Sequence, residues 1–295
     1  MSVRQIRTIA VWLSVSIAPG VSFSQESPLY LGVLEPRVTD SSDPAPFHVR
    51  IMFQFQRGHW TAMPHQADDE EALAKLSKLY PAKVSWTVAF DGKKVGAAES
   101  VQRTYASYGQ VGTEDLTPDS TAPEITDGAE AFATWLGVSQ FRPLVAISRP
   151  NFTDPDHWKP FRPPPEIGTQ AHAAFHRAVP VLRCEDQEVP YTDDDILLLD
   201  NGYRSGGGDV LVALRATPSN DHCESNEDAW DSVWFLLARG TFHFVGTGLT
   251  LLDAGDYDGD GISEIVFQSS GYNRDGYVLF HPGTKAKVEF GWSYQ

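Results

Sequence analysis

Near its carboxyl end the chain reads Asp256-Tyr-Asp258-Gly-Asp260-Gly261-Ile262-Ser-Glu264, four carboxylates within nine residues. Counted from Asp256, the acids fall at positions 1, 3, 5 and 9. Four such charges repel unless a cation neutralises them, and a hard ion with oxygen ligands, most simply calcium, meets that need. Gly261 at position 6 permits the sharp turn that lets alternate side chains converge, and the carbonyl of Ile262 falls where a position 7 ligand is wanted. An EF-hand does not fit, because position 12 is Phe267 instead of a bidentate Glu and Ile265 to Gln268 reads as a strand. The plainer alternative is a solvated Asp/Gly hairpin turn.

Other chemistry-bearing groups are less specific. Asp154-Pro-Asp156-His157-Trp158 combines two acids, an imidazole and an aromatic ring in a predicted loop, a set that binds sugars or assists hydrolysis. The same residues also read as a turn anchored by a buried Trp. His172 and His176 lie four apart on a possible helix, but the Glu of the helical zinc-protease motif is absent between them, so ordinary histidines are expected. Asp193-Asp194-Asp195 reads as the solvated start of a strand in preference to a second cation site. Tyr203-Arg-Ser205-Gly-Gly-Gly208 has neither the Lys of a phosphate loop nor the spacing of a nucleophile elbow, so it reads as a turn. Cys184 and Cys223 are the two cysteines, and in an oxidising compartment they are expected to form one disulfide. Asn151-Phe-Thr153 is formally a glycosylation sequon.

The acidic segment and the strands after it resemble the FG-GAP and VCBS-type repeats, the calcium-loop blades of integrin-α-like β-propellers. The resemblance rests on Asp256 to Glu264, the strand Ile265 to Ser269, then Gly276-Tyr-Val-Leu-Phe280 and Lys287-Val-Glu-Phe-Gly-Trp292. It implies a loop joining two strands of a blade around calcium, with Asp256, Asp258, Asp260 and Glu264 as side-chain ligands. Glu264 departs from the Asp more usual there, and one such loop is found where propellers of this family show several. The resemblance covers residues 233 to 294, about a fifth of the chain.

The elements that must position these groups are mostly strands. Tyr30 to Leu34, His48 to Gln56, Lys83 to Phe90, Pro143 to Ser148, Asp195 to Leu199, Asp209 to Ala216 and Val233 to Ala238 are rich in β-branched or aromatic residues and bounded by turn formers. Gly58, Gly92 and Gly240 each separate two such runs closely enough to predict antiparallel hairpins. Helical periodicity is confined to Asp69 to Leu79, with weaker signals at Glu130 to Leu136 and Gln170 to Ala178. Thr117 to Gly128 and Arg149 to Gly168 read as long loops, with Pro160 to Pro165 locally extended.

Arg4 and Arg7 precede an apolar run from Thr8 to Ala18, and small residues before Gln25 suit cleavage, the layout of a secretory signal peptide over residues 1–24. The rest divides into a β-rich amino-terminal region with loops, 25–180, and a β-rich region carrying the calcium hairpin, 181–295. With 39 acids against 23 bases, a formal charge of -16, the composition argues against nucleic acid or an anionic membrane surface as partner. No later segment reaches the roughly 20 apolar residues of a membrane span. The expectation is therefore a secreted or periplasmic, mainly β protein of antiparallel hairpins, propeller-like or sandwich, with few short helices and long loops. Its calcium would be structural and its role noncatalytic, as a binding or envelope-associated module for a protein or carbohydrate ligand. A secreted hydrolase using Asp154, Asp156 and His157 is the alternative.

Overall fold

Three hairpin turns show how directly local chemistry shapes this chain. Arg57-Gly58, Asp91-Gly92 and Arg239-Gly240 each have positive φ at both residues, between 50° and 80°. That is the twist-matching geometry of a tight two-residue hairpin, and it is why Gly stands second in each. They join β2 (Phe47–Gln56) to β3 (His59–Ala62), β4 (Lys83–Phe90) to β5 (Lys93–Gln102), and β13 (Val233–Ala238) to β14 (Thr241–Thr247). The structure, a computed structural model, describes residues 27–36, 47–67, 69–103, 111–120, 123, 143–179, 181–184, 187–216, 232–271 and 273–293. The leader, the weak helix at Glu130 to Leu136 and Cys223 lie outside the described residues.

The fold is mainly β and antiparallel throughout. With β1 (Leu29–Pro36), β6 (Thr113–Leu116) and β7 (Leu144–Ile147), the early strands pair in the order β1-β7-β4-β5-β6-β2-β3. Because β1 also pairs with β2, six of them close into a ring and only β3 hangs from its rim. Closure removes the exposed edges that an open sheet would carry. The register sets Leu34, Val49, Trp86 and Ala146 on the inner face, and Val33, Glu35 and Arg50 on the outer.

Two successive four-stranded meanders come next along the chain. The first is β11 (Ile196–Arg204), β12 (Val210–Ala216), β13 and β14, extended at β11 by the short β8 (Lys159–Phe161). The second is β15 (Leu249–Gly255), β16 (Glu264–Gly271), β17 (Arg274–Phe280) and β18 (Lys287–Ser293). The first meander is buried on both faces, which accounts for the unbroken apolar run Val210-Leu-Val-Ala-Leu214. Leu211, Ala213, Trp234 and Leu236 join the main core shared with the ring and the second meander, while Val210, Val212, Leu214 and Phe235 form a separate cluster under the helix α2 (Pro165–Ala178). A two-stranded hairpin of β9 (Val181–Cys184) and β10 (Gln187–Pro190) stands apart from these sheets.

The helices differ from the sequence reading only in extent. α1 (Glu70–Ser77) starts where expected, with the Asp69 carboxylate accepting from the Ala72 amide as its cap and Glu70 and Glu71 in the first turn. α2 begins five residues before the periodic signal, because Pro165 sits in its first turn, where a missing N–H costs nothing. The proline-rich stretch Pro160 to Pro165, expected to be locally extended, is so at β8 and then supplies a helix start at Pro165.

Candidate metal centre

The acidic loop joins β15 to β16. Its backbone is folded by its own carboxylates: Asp256 accepts from the amides of Gly259 at 2.6 Å and Gly261 at 3.2 Å, Asp258 from Asp260 at 3.0 Å, and Asp260 from Ile262 at 2.8 Å. Gly259 and Gly261 both have φ of 88°, so the alternation of Asp and Gly is a backbone requirement. The result brings carboxylate oxygens of Asp256, Asp258 and Asp260 within 4.8 Å of one another. Each oxygen keeps a second lone pair beyond its amide bond, so acceptor capacity remains for an ion.

Glu264 sets this cluster apart from a solvated turn. It is fully buried; one oxygen accepts from the Tyr257 amide at 2.8 Å, and among the described residues its only other hydrogen-bonding neighbour is the Asp258 carboxyl, a second acid. Burial, then the Asp258 charge, push its carboxyl well above the usual range. Burial likewise raises Asp258, helped by the charges of Asp260 and Asp256 against an opposing bond from the Asp260 amide. Among the described residues no Lys or Arg forms an ion pair with either carboxyl: Arg149 reaches the loop but donates to the Tyr257 carbonyl at 3.5 Å, so a cation could be accommodated at the acids.

His281, from the turn after β17, is the site residue that sequence reasoning missed. Its ligand atom lies within 4.8 Å of those of Asp260 and Glu264. Its Nδ1 accepts from the amides of Gly283 at 3.1 Å and Thr284 at 3.3 Å, so Nε2 carries the ring proton and donates to Asp260 at 3.3 Å. This tautomer, fixed by the hydrogen-bond network, makes His281 a holder of the Asp260 carboxylate and leaves the loop an all-oxygen donor set, suited to a hard cation. The only sequence cue is the turn signal His281-Pro-Gly283.

The other candidate loop turns out to be the platform of this one. Ser263 donates through Oγ to Asp154 at 2.6 Å and through its amide to Asp156 at 2.8 Å, while the second Asp154 oxygen accepts from the Trp158 amide at 2.8 Å. The Asp256 amide bonds the Thr153 carbonyl at 2.9 Å, and Phe152 stacks on the buried Tyr257 with ring centroids 5.6 Å apart. Burial pushes the Asp154 carboxyl up, against the bonds from Ser263 and Trp158. The Gly-rich turn contributes as well, its Gly206 amide bonding the Asp156 carbonyl at 2.6 Å. From the other side the Gly92 amide donates to Asp253 at 2.9 Å, and a Cβ on Gly92 would come within 2.7 Å of Asp154. His157 is exposed, and its own backbone has a φ of 51°.

The remaining candidates stay apart from the centre. His176 pairs with Asp193 at 2.8 Å, and neither it nor His172 joins a metal-ligating group of three among the described residues. Asp195 closes a capping box with Thr192 on the 3-10 turn Asp193–Asp195, so that acidic run is used to start β11. The backbone of Cys184 ends β9.

Against protein-family models, curated proteins and solved structures, the chain matches none. A mainly β protein with an acidic cluster able to hold a metal is the class that fold and site define.

Proposed function

We propose that this is an exported, noncatalytic binding module whose carboxyl-terminal hairpin is fixed by one structural calcium ion. Asp256, Asp258, Asp260 and Glu264 would hold it through side chains and Ile262 through its carbonyl, with His281 steadying Asp260. The observation carrying this reading is the fully buried Glu264 carboxyl, set against the Asp258 carboxyl with no Lys or Arg paired to either among the described residues. When bound, calcium supplies the compensating charge and ties β15 to β16. The loop's own residues orient the carboxylates and shield them, and the Asp154 to Trp158 segment grips the loop from beneath.

A structural role follows from where the acids are spent. Both Asp154 oxygens and one of Asp156 already accept hydrogen bonds, which favours a packing role for the pair over the hydrolase alternative. Export is supported by the leader signal at residues 1–24, and a Cys184 to Cys223 disulfide would suit the same compartment. Among the described residues no helix is long and apolar enough to cross a membrane. The meander around the loop supports kinship with the FG-GAP and VCBS-type repeats. Equilibrium dialysis of the chain from Gln25 onward should find one calcium per molecule, abolished by Asp258→Ala plus Asp260→Ala. Undiminished uptake by that variant would remove the site.

A further inference from the structure

Two strands of the amino-terminal ring are only four residues long, and they differ in what holds them. β7 is Leu144-Val-Ala-Ile147, apolar and buried throughout, whereas β6 is Thr113-Glu-Asp-Leu116 with its Leu half-buried. β6 joins β2 to β5 by three register pairs on each side, and Glu114 belongs to both sets, opposite Val49 and opposite Gln102. The ring therefore closes through a strand whose most deeply buried side chain is an acid.

The register turns Glu114 inward with Val49, and its side chain is fully buried. Oε2 accepts from the Ser100 hydroxyl of β5, which itself accepts from the Trp86 indole of β4 at 2.6 Å. A hydroxyl has one proton, so this chain of bonds gives the carboxyl a single donor. Oε1 is buried with no hydrogen-bond partner. The neighbouring charges are engaged elsewhere: His48 and Arg50 of β2 with Glu35, Asp115 of β6 with Arg103, and Glu99 of β5 with Lys83 of β4. β7 contributes no titratable side chain. The groups that feel Glu114 are two phenols, Tyr30 of β1 and Tyr80 just after α1; burial raises both, the Glu114 charge adds to it, and Arg50 opposes it at Tyr80. A neutral carboxyl is at home in such a place, and a carboxylate is not. Burial pushes this one up to about 7, against the Ser100 bond.

We propose that Glu114 is a proton-operated latch on the ring: protonated, it lets β6 close the gap between β2 and β5, and its ionisation draws water to the strand and releases β6 from both neighbours. The device is separate from the acidic loop and answers to pH alone.

The test uses the chain from Gln25 onward in excess calcium. With a folded value of about 7 above the ordinary 4.5, the contribution of neutral Glu114 is fully present below about pH 4.5 and lost as pH rises through 7. Hydrogen exchange, corrected for the intrinsic rate at each pH, should show the Thr113–Leu116 amides losing at least tenfold protection between pH 5.5 and 8, with the Arg274–Phe280 amides of β17 unchanged. Glu114→Gln should hold its β6 protection level over the same range. Ser100→Ala removes the one bond that favours the carboxylate and should move the loss to higher pH. Infrared absorption follows the carboxyl itself in the natural chain, whatever the stability of the variants: a protonated-carboxyl band absent from Glu114→Gln should be present at pH 5.5 and fade by pH 8. No such band at pH 5.5, a band that fades while β6 stays protected, a loss shared equally by β17 or by Glu114→Gln, or a loss unmoved by Ser100→Ala would each overturn the proposal.

Discussion

Glu35 is half-buried and Glu264 fully buried, and the chain treats the two glutamates in opposite ways. Glu35 on β1 accepts from His48 at 2.9 Å and Arg50 at 2.6 Å on the neighbouring β2 and from the Tyr277 hydroxyl of β17 at 2.7 Å. Burial pushes its carboxyl up, but the His48 bond, the Arg50 charge and the Tyr277 bond outweigh it and hold it at about 2. Arg50 is itself seated 4.4 Å over the Trp292 ring, so this network bonds the outer face of the ring of strands to the last meander. Glu264 is driven upward by burial and then by the Asp258 charge beside it, with the Tyr257 amide alone pulling it back. Where the sequence pairs the carboxylate with a cation, the fold balances the charge itself; at Glu264, under the proposal above, an ion from outside would do so.

Breaking the self-sufficient side should produce the largest effect. Glu35→Ala leaves Arg50 and His48 in the interior without their shared acceptor and should cost about 3–5 kcal/mol in urea unfolding, equally with calcium or chelator. The pH dependence has a definite sign. A folded pKa of about 2, below the ordinary 4.5, means the Glu35 contribution is present above about pH 4.5 and lost as pH falls toward 2. The stability gap between the natural chain and Glu35→Gln should close over that window.

The ion-dependent side should answer in the opposite direction. Glu264→Gln relieves the repulsion with Asp258, so in chelator this variant should be more stable than the natural chain by about 1–2 kcal/mol and in excess calcium should lose that advantage. A Glu264→Gln chain that is less stable in chelator would erase the contrast. Smallest is His281→Ala, which frees the Asp260 carboxylate without removing a ligand. It should weaken calcium binding about tenfold by titration, with little change in the calcium-free melt.

These contrasts also explain what the sequence could and could not disclose. Hairpins with X-Gly turns, such as Asp91-Gly92, are local and therefore legible, as are the β-branched strands and the start of α1. The acidic spacing from Asp256 to Glu264 is likewise contained in nine consecutive residues. Closure of the ring through β1 and β2, and the network joining Glu35 to Tyr277 across 242 positions, arise from strand register and sheet packing, which no local pattern encodes. The Asp154 to His157 group looks catalytic in sequence because its residue types suit hydrolysis; only its contact with Ser263, over a hundred positions away, shows the acids in use as supports.

The proposed role of the hairpin rests on a metal ion completing its charge balance. Its most direct test is a set of four thermal melts: the chain from Gln25 onward and its Asp258→Ala plus Asp260→Ala variant, each in calcium and in excess chelator. Calcium should raise the melting temperature of the natural chain and leave the variant unmoved. Melts of the natural chain that coincide with and without calcium would contradict the account.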